Sequence, residues 1–203
     1  MVGHSAFFYK QVVRNGFDST RRWTLSQQLF DHGKLLLIPV CEGCHWFLVV
    51  VHLAAGTLVV VDSLALPRDD DGRRHGGALD TIRSWLRAEL AFRCITRWDS
   101  CRWDAQWASV NMQDNAYDCG LFLIPYSQAI VRGGFGEMRY FNQSHCVEKR
   151  LSILNRVLDG DVHDVHLQIN GSDSDSEGDV QWACGVCGAV CVCRVCAVCG
   201  SLC

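Results

Sequence analysis

The stretch Gln113-Asp-Asn-Ala-Tyr-Asp118-Cys119-Gly120, followed at once by Leu121-Phe-Leu-Ile124, places a cysteine where a polar turn becomes an apolar run. This pattern predicts that Cys119 lies in the first turn of a buried helix. The N-terminus of a helix carries about half a positive charge and unpaired backbone N–H groups, so it favours a thiolate over a thiol. Cys119 is therefore a candidate nucleophile, and Gln113 is a candidate donor to a developing oxyanion. The alternatives are a buried core thiol and a loop amide.

Upstream of this stretch, two apolar segments predict an antiparallel hairpin. Residues 45–53 are rich in β-branched side chains, residues 54–56 form a turn that contains a glycine, and residues 57–62 are the return strand. The hairpin brings His45, at the start of the first strand, near Asp62, at the end of the second. Taken singly, the two residues also fit a structural histidine and a turn acid.

The other segments predict a mixture of helices and strands. In chain order the patterns predict a helix at 5–14, a turn at 18–24 with Trp23 in the core, a buried strand at 35–40, a loop at 41–44, an exposed loop at 67–77, a helix over 79–90, a short strand at 107–112, a helix at 121–131 bent at Pro125, and a long helix at 137–158 packed through one face. The histidines at 52, 75, 145, 163 and 166 receive no role.

Charge divides the chain into a body and a tail. Residues 1–158 carry 18 basic and 15 acidic side chains, whereas residues 159–203 carry one basic and seven acidic side chains. We expect one domain over 1–160, an acidic, serine-rich and disordered linker over 161–183, and a Cys-rich tail over 184–203. Because the body lacks a basic stripe with interleaved aromatic residues, the sequence argues against a nucleic-acid partner.

The Cys-rich tail has spacings that suit a metal ion. Thiolates separated by two residues can wrap zinc, and a low-complexity extension without metal is the alternative. The seven cysteines are Cys184, Cys187, Cys191, Cys193, Cys196, Cys199 and Cys203. Arg194 and several glycines interrupt the apolar residues of this segment, so a membrane span is not expected.

Six further cysteines are scattered through the body without the spacing of a disulfide framework. The first ten residues lack the basic region and the long apolar segment of a signal peptide. Together these features predict a reducing, intracellular location, in the nucleus or the cytoplasm. We expect a monomer.

Taken together, His45, Asp62, Gln113 and Cys119 supply the roles that thiol acyl transfer requires. A base takes the proton of the thiol, an acid orients the imidazole, a thiolate attacks, and an amide donor stabilises the oxyanion. Nothing in this chemistry needs a cofactor.

These residues resemble those of the SUMO-specific (sentrin-specific) proteases. The resemblance rests on His45-Trp46, on the strand ending Val-Asp62-Ser63-Leu64, and on Gln113 followed after five residues by Cys119-Gly120. It extends outward to Phe7-Phe8-Tyr9-Lys10, Arg22-Trp23-Thr24, the strand 36–40 and the segment 140–158, so that it covers about residues 5–160.

The resemblance implies an α+β fold of the papain-like, adenain-like type, with a mostly antiparallel central sheet flanked by helices. It implies a cysteine protease or isopeptidase that cleaves after the C-terminal Gly-Gly of a SUMO-type ubiquitin-like modifier, in precursors, in conjugates or in both. His45, Asp62 and Cys119 would be catalytic and Gln113 would form the oxyanion hole. Trp46 would cover a channel that admits only a glycine pair, which disfavours a peptidase for ordinary peptides.

One motif of that family has no counterpart in this sequence. Family members carry a segment of the Trp-Leu-x-Asp kind upstream of the Phe-Phe pair, and it supplies the other wall of the channel. We therefore expect weakened substrate binding rather than lost chemistry. The alternative function is a catalytically silent module that binds a modifier or another partner.

Overall fold

The computed structural model describes residues 2–24, 30, 35–64 and 73–159. The linker and the Cys-rich tail predicted beyond residue 160 lie outside these residues. The helices and strands are, in chain order, β1 (Val2–Gly3), α1 (Phe8–Asn15), α2 (Arg21–Thr24), β2 (Leu35–Glu42), β3 (His45–His52), β4 (Thr57–Val61), α3 (Arg73–Phe92), β5 (Asp104–Trp107), α4 (Cys119–Gly133) and α5 (Cys146–Leu158). Short 3₁₀ segments cover Phe17–Ser19, Phe135–Tyr140 and Gln143–His145.

A five-stranded sheet in the order β1-β2-β3-β4-β5 forms the centre of the protein. The three central strands pair antiparallel, with Leu37 opposite Val50 and Val50 opposite Val59. Each edge strand pairs parallel to its neighbour. The predicted α+β class and the predicted hairpin are confirmed, and the antiparallel pairing is confined to the centre of the sheet.

Helices cover both faces of this sheet, which explains why the central strands read as continuous apolar runs. Side chains of one strand point to alternate faces. In β3, Phe47, Val49 and Val51 join the cluster that contains α1 and α3, whereas Trp46, Leu48 and Val50 join the cluster that contains α4. The sheet therefore separates two apolar layers, and the second layer holds Cys119.

The predicted loop at 41–44 is shorter in the structure: Glu42 still pairs with His45, so that Gly43 and Cys44 alone form the hairpin turn between β2 and β3. Cys41 belongs to β2 and is buried, while Cys44 is exposed. Gly43 and Cys44 both have positive φ, 53° and 67°, as the central pair of a tight hairpin turn requires. The two thiols therefore lie in different environments. Among the described residues, Cys44, Cys94, Cys101, Cys119 and Cys146 are free thiols.

The predicted exposed loop over residues 67–77 is wrong in its second half. Helix α3 already begins at Arg73, and His75 is completely buried. Gly76 and Gly77 have poor helix propensity and favoured a loop prediction. Contacts of the first helical turn with the sheet outweigh this local preference, because His75, Ala78 and Leu79 are all buried.

Three further predictions differ from the structure. Trp23 is 38% exposed rather than a core residue, because α2 leaves one face in contact with solvent. The short strand β5 covers Asp104–Trp107 and not residues 107–112. Pro125 does lie inside α4, which is longer than predicted at both ends.

The predicted helix over 137–158 is divided into 3₁₀ segments and α5. Phe141 and Asn142 have extended backbones, and Asn142 caps the next turn through a hydrogen bond from the Ser144 N–H. The apolar stripe of α5 does not pack as predicted, because Leu151 and Leu154 are 55% and 50% exposed. Among the described residues, no helix has the length and apolarity needed to span a membrane.

Candidate active site

His45 and Asp62 meet at one end of the central hairpin. Pairing of β3 with β4 ends at Leu48 and Val61, so Asp62 directly follows the last paired residue. His45 Nε2 lies 2.8 Å from Asp62 Oδ1. The predicted proximity of these side chains is confirmed, and the structure adds a hydrogen bond between them.

Asp62 is a buried carboxylate with three hydrogen-bond donors around it. Oδ1 accepts from His45 and, at 2.8 Å, from the Leu64 backbone N–H, while Oδ2 lies 2.8 Å from His75 Nε2. Burial alone raises the pKa of Asp62, but the hydrogen bonds with His45 and His75, the charge of His45 and the Leu64 N–H together hold it below the usual range. The carboxylate is therefore ionised at neutral pH.

Cys119 is the first residue of α4, as the sequence predicted. Its side chain is buried in the apolar layer beside Trp46. Burial raises the pKa of the Cys119 thiol, but hydrogen bonding with His45, the backbone N–H groups of Trp46 and Gly120, and the charge of His45 outweigh it and lower the pKa. This environment favours the thiolate.

The imidazole of His45 couples the acid to the thiol. Burial lowers the pKa of His45, but the hydrogen bond with Asp62 and the interaction with Cys119 outweigh it and raise the pKa to about 9. Nδ1, the ring nitrogen that does not contact Asp62, is buried and is the nitrogen left to interact with the Cys119 thiol. The arrangement therefore supports a thiolate–imidazolium pair at neutral pH, with Nδ1 available to transfer a proton.

The pair has a measurable pH signature. We expect the alkylation rate of Cys119 by iodoacetamide to rise at a pH below the ordinary thiol pKa of about 8.5, because its own pKa is lowered. The rate should stay level through neutral pH and change again near pH 9, where His45 loses its proton. Peptide mass mapping measures this rate, with exposed Cys44 and Cys94 as references in the same digest. A single transition at the ordinary thiol pKa would contradict the pair.

Gln113 is held in place beside the end of β4. Its side-chain oxygen accepts from the Ser63 hydroxyl at 2.6 Å, and its backbone N–H donates to the Ser63 carbonyl at 3.0 Å. Its side-chain nitrogen donates to the Asn115 carbonyl. An amide nitrogen carries two hydrogens, so one N–H remains for another acceptor.

Trp46 forms an apolar wall on one side of the Cys119 thiol. The residue is 8% exposed and shares an apolar cluster with Cys119. Its indole nitrogen is buried without a hydrogen-bond partner among the described residues. A flat apolar wall beside a thiol favours a narrow approach to the sulfur.

Asp118 fixes the loop that carries Cys119. Its Oδ2 accepts from Asn115 Nδ2 at 2.7 Å and from Gln143 Nε2 at 2.6 Å, and its Oδ1 pairs with Arg150. The side chain is fully buried. The sequence placed Asp118 next to Cys119 but carried no sign of partners 25 and 32 residues away. This network ties the start of α4 to α5.

The described residues contain no group of three or more His, Cys, Asp or Glu side chains arranged to hold a metal ion. The seven cysteines of the predicted zinc-binding tail lie outside the described residues.

The sequence is similar to a known protease family and to its members. The model of the Ulp1 protease family, C-terminal catalytic domain, matches residues 5–158. A sentrin-specific protease of Caenorhabditis elegans is 29% identical over 125 residues, which are 61% of this chain and 17% of that protein. The ubiquitin-like-specific protease ESD4 of Arabidopsis thaliana is 27% identical over 161 residues, which are 76% of this chain and 31% of that protein. The chain thus spans less than a third of the length of these relatives.

Solved structures share the fold. The C-terminal Ulp1 protease domain in complex with Smt3, the yeast ortholog of SUMO, superposes with a TM-score of 0.60 at 21% identity, over 77% of this chain and 67% of that chain. The catalytic domain of the Chaetomium thermophilum Ulp1-like SUMO protease gives a TM-score of 0.60 at 21% identity, over 78% and 60% of the two chains. The α+β fold expected from the sequence is therefore confirmed, and it is similar to that of solved Ulp1 protease domains.

Proposed function

Because the chain belongs to the Ulp1 protease family, we propose that it is a cysteine protease that cleaves after the C-terminal Gly-Gly of a SUMO-type ubiquitin-like modifier. Members of this family are cysteine peptidases that need no cofactor for catalysis. The observation that supports the proposal most is the 2.8 Å contact between His45 and Asp62, next to a thiol whose pKa is lowered.

We assign the roles of the first half-reaction as follows. The Cys119 thiolate attacks the carbonyl carbon of the terminal glycine, and the carbonyl π-electrons move to the oxygen. The Cys119 backbone N–H and the remaining N–H of Gln113 stabilise that oxyanion. Protonated His45 gives its proton to the leaving amine as the C–N bond breaks. A thioester between Cys119 and the modifier remains.

Hydrolysis of the thioester returns the enzyme to its first state. Neutral His45 takes a proton from water, and the resulting hydroxide adds to the thioester carbonyl. Collapse of the second tetrahedral intermediate releases the Cys119 thiolate, beside protonated His45, and the carboxylic acid of the modifier, which gives its proton to water. Asp62 keeps the imidazole oriented through both steps and stabilises its positive charge.

Trp46 accounts for the preference for glycine. An indole wall next to the sulfur leaves room for backbone without side chains, so a methyl group at the penultimate position collides with it. Sequence and burial support this assignment, since Trp46 directly follows His45 and shares the apolar layer of Cys119.

Turnover of a SUMO-type modifier that carries a C-terminal Gly-Gly-aminocoumarin tests the proposal. We expect release of the fluorophore, and about 10- to 200-fold slower release when alanine replaces the penultimate glycine, as for one added methyl group in a closed pocket. Equal rates on the two substrates would contradict the role of Trp46. Tight binding of the modifier without turnover would favour the silent binding module instead.

Two predictions from the sequence are separate from this reaction. Location in the nucleus or the cytoplasm stays a prediction. Binding of zinc by the cysteines between Cys184 and Cys203 rests on spacing alone.

A further inference from the structure

His75 is a buried histidine that touches the candidate active site from a separate helix. It lies in the first turn of α3, and its side chain is fully buried. Nε2 lies 2.8 Å from Asp62 Oδ2, on the side of the carboxylate opposite His45. The carboxylate therefore lies between two imidazoles.

Trp107, the last residue of β5, fixes the tautomer of neutral His75. An indole N–H only donates hydrogen bonds, and Trp107 Nε1 lies 3.4 Å from His75 Nδ1. Nδ1 is therefore the acceptor, and the hydrogen of a neutral His75 is on Nε2, where it donates to Asp62.

Phe47 packs against the rings of both histidines. Its ring meets His75 edge to face with centroids 4.7 Å apart, and it lies 6.0 Å from the ring of His45. The residue is buried in the same apolar layer as α3. Packing thus limits rotation of both rings, and the hydrogen bonds to Asp62 keep one geometry.

From this arrangement we propose that His75 is a positioning residue for catalysis, which holds the Asp62 carboxylate in the orientation that directs His45 towards Cys119. This inference rests on the proposed function for its kinetic consequence. With His75 replaced by an apolar side chain, Oδ2 would lose a donor in a site where the Asp62 side chain is 1% exposed. The carboxylate would then rotate to satisfy that oxygen, and the Oδ1–His45 contact would loosen.

The titratable groups around Asp62 come from three elements. His45 faces it from β3 and His75 from α3. From α4, Cys119 interacts with His45, and Tyr126 has a pKa raised by burial and by the charges of Cys146 and Asp62. A change at His75 therefore reaches the thiol through Asp62 and His45.

Two variants of the full chain separate positioning from packing. His75→Leu fills the same space with an apolar side chain and removes the N–H that donates to Asp62. His75→Gln places an amide N–H near the position of Nε2. For each variant, kcat and KM on the modifier–Gly-Gly substrate, the pH profile of Cys119 alkylation by iodoacetamide, and the melting temperature are measured.

We expect kcat of His75→Leu to fall about 10- to 100-fold with KM within about twofold, as for loss of one hydrogen bond to a charged group. The acid limb of Cys119 alkylation should move to higher pH by about 1 unit, because His45 pairs less with the thiolate. His75→Gln should restore most of both values. His75→Leu could instead lower the melting temperature and leave kcat and the acid limb of Cys119 alkylation unchanged. That result would assign His75 a packing role only and overturn the proposal.

A variant outside α3 gives a second test. Trp107→Phe keeps an aromatic ring and removes the donor to Nδ1, so His75 can also adopt the other tautomer. We expect kcat to fall about 2- to 10-fold, the range for a neutral hydrogen bond. Full activity of Trp107→Phe would contradict the claim that Trp107 sets the tautomer of His75. Alkylation needs no modifier, so it tests the role of His75 even where the wild-type chain fails to cleave the substrate and the proposed function fails.

Discussion

Replacement of Cys119 by alanine should lower kcat for release of a SUMO-type modifier by about 10⁴-fold or more, as removal of the nucleophile does in comparable triads. The thioester cannot form without the sulfur, whereas the channel beside Trp46 stays in place. Binding of the modifier should therefore persist, with Kd within a few-fold of the wild-type value. Progress curves for kcat and titration calorimetry for Kd measure the two quantities on one preparation.

Cys94→Ala is the matched control for this variant. Cys94 is an exposed thiol that follows α3, and it belongs to neither apolar layer. The same chemical change there should leave kcat within about twofold, since surface substitutions seldom alter stability by more than about 0.5 kcal/mol. Residual turnover of Cys119→Ala within about tenfold of wild type would mean that another group attacks the substrate.

Asp62→Asn should lower kcat/KM by about 10³- to 10⁴-fold, although it changes only one atom. Both His45 and His75 direct Nε2 at the carboxylate. An amide has one oxygen for two donors, so its NH₂ group opposes the N–H of one imidazole. The negative charge that raises the pKa of His45 is lost as well, so the thiolate–imidazolium pair is weakened.

A control variant and a melting curve distinguish loss of the carboxylate from unfolding of the protein. Asp80→Asn serves as the control because Asp80 is an exposed partner of Arg83 on α3, and it should retain wild-type activity. The melting curve of Asp62→Asn identifies a folded sample, in which the alkylation of Cys119 should resemble that of an ordinary thiol. A folded Asp62→Asn protein with kcat/KM within about tenfold of wild type would contradict the role of the carboxylate.

Local patterns were sufficient to predict the parts of the site that depend on short-range geometry. A short turn between two apolar strands determines that His45 and Asp62 share one end of a hairpin. The change from a polar loop to an apolar run at Cys119 marks a helix start. These features need only the period of the pattern and the chemistry of the turn.

Contacts between distant segments were beyond the reach of local patterns. His75 follows an acidic run and precedes two glycines, all of which favour a loop, so its contact with Asp62 left no local signal. The edge strand β5 has four residues that are mostly exposed, and it lacks the alternation that reveals a strand. The partner of Asp118 on α5, Arg150, is likewise set by packing and not by spacing.

The central claim is that Cys119 attacks the terminal glycine of a SUMO-type modifier. A modifier with vinyl sulfone in place of its C-terminal carboxyl tests it most directly, because the thiolate adds to the vinyl group and the adduct is stable. We predict one modifier per protein chain, attached to Cys119 by peptide mass mapping, and no adduct with Cys119→Ala. A folded wild-type protein that gives no adduct, or gives it on another cysteine, would contradict the account.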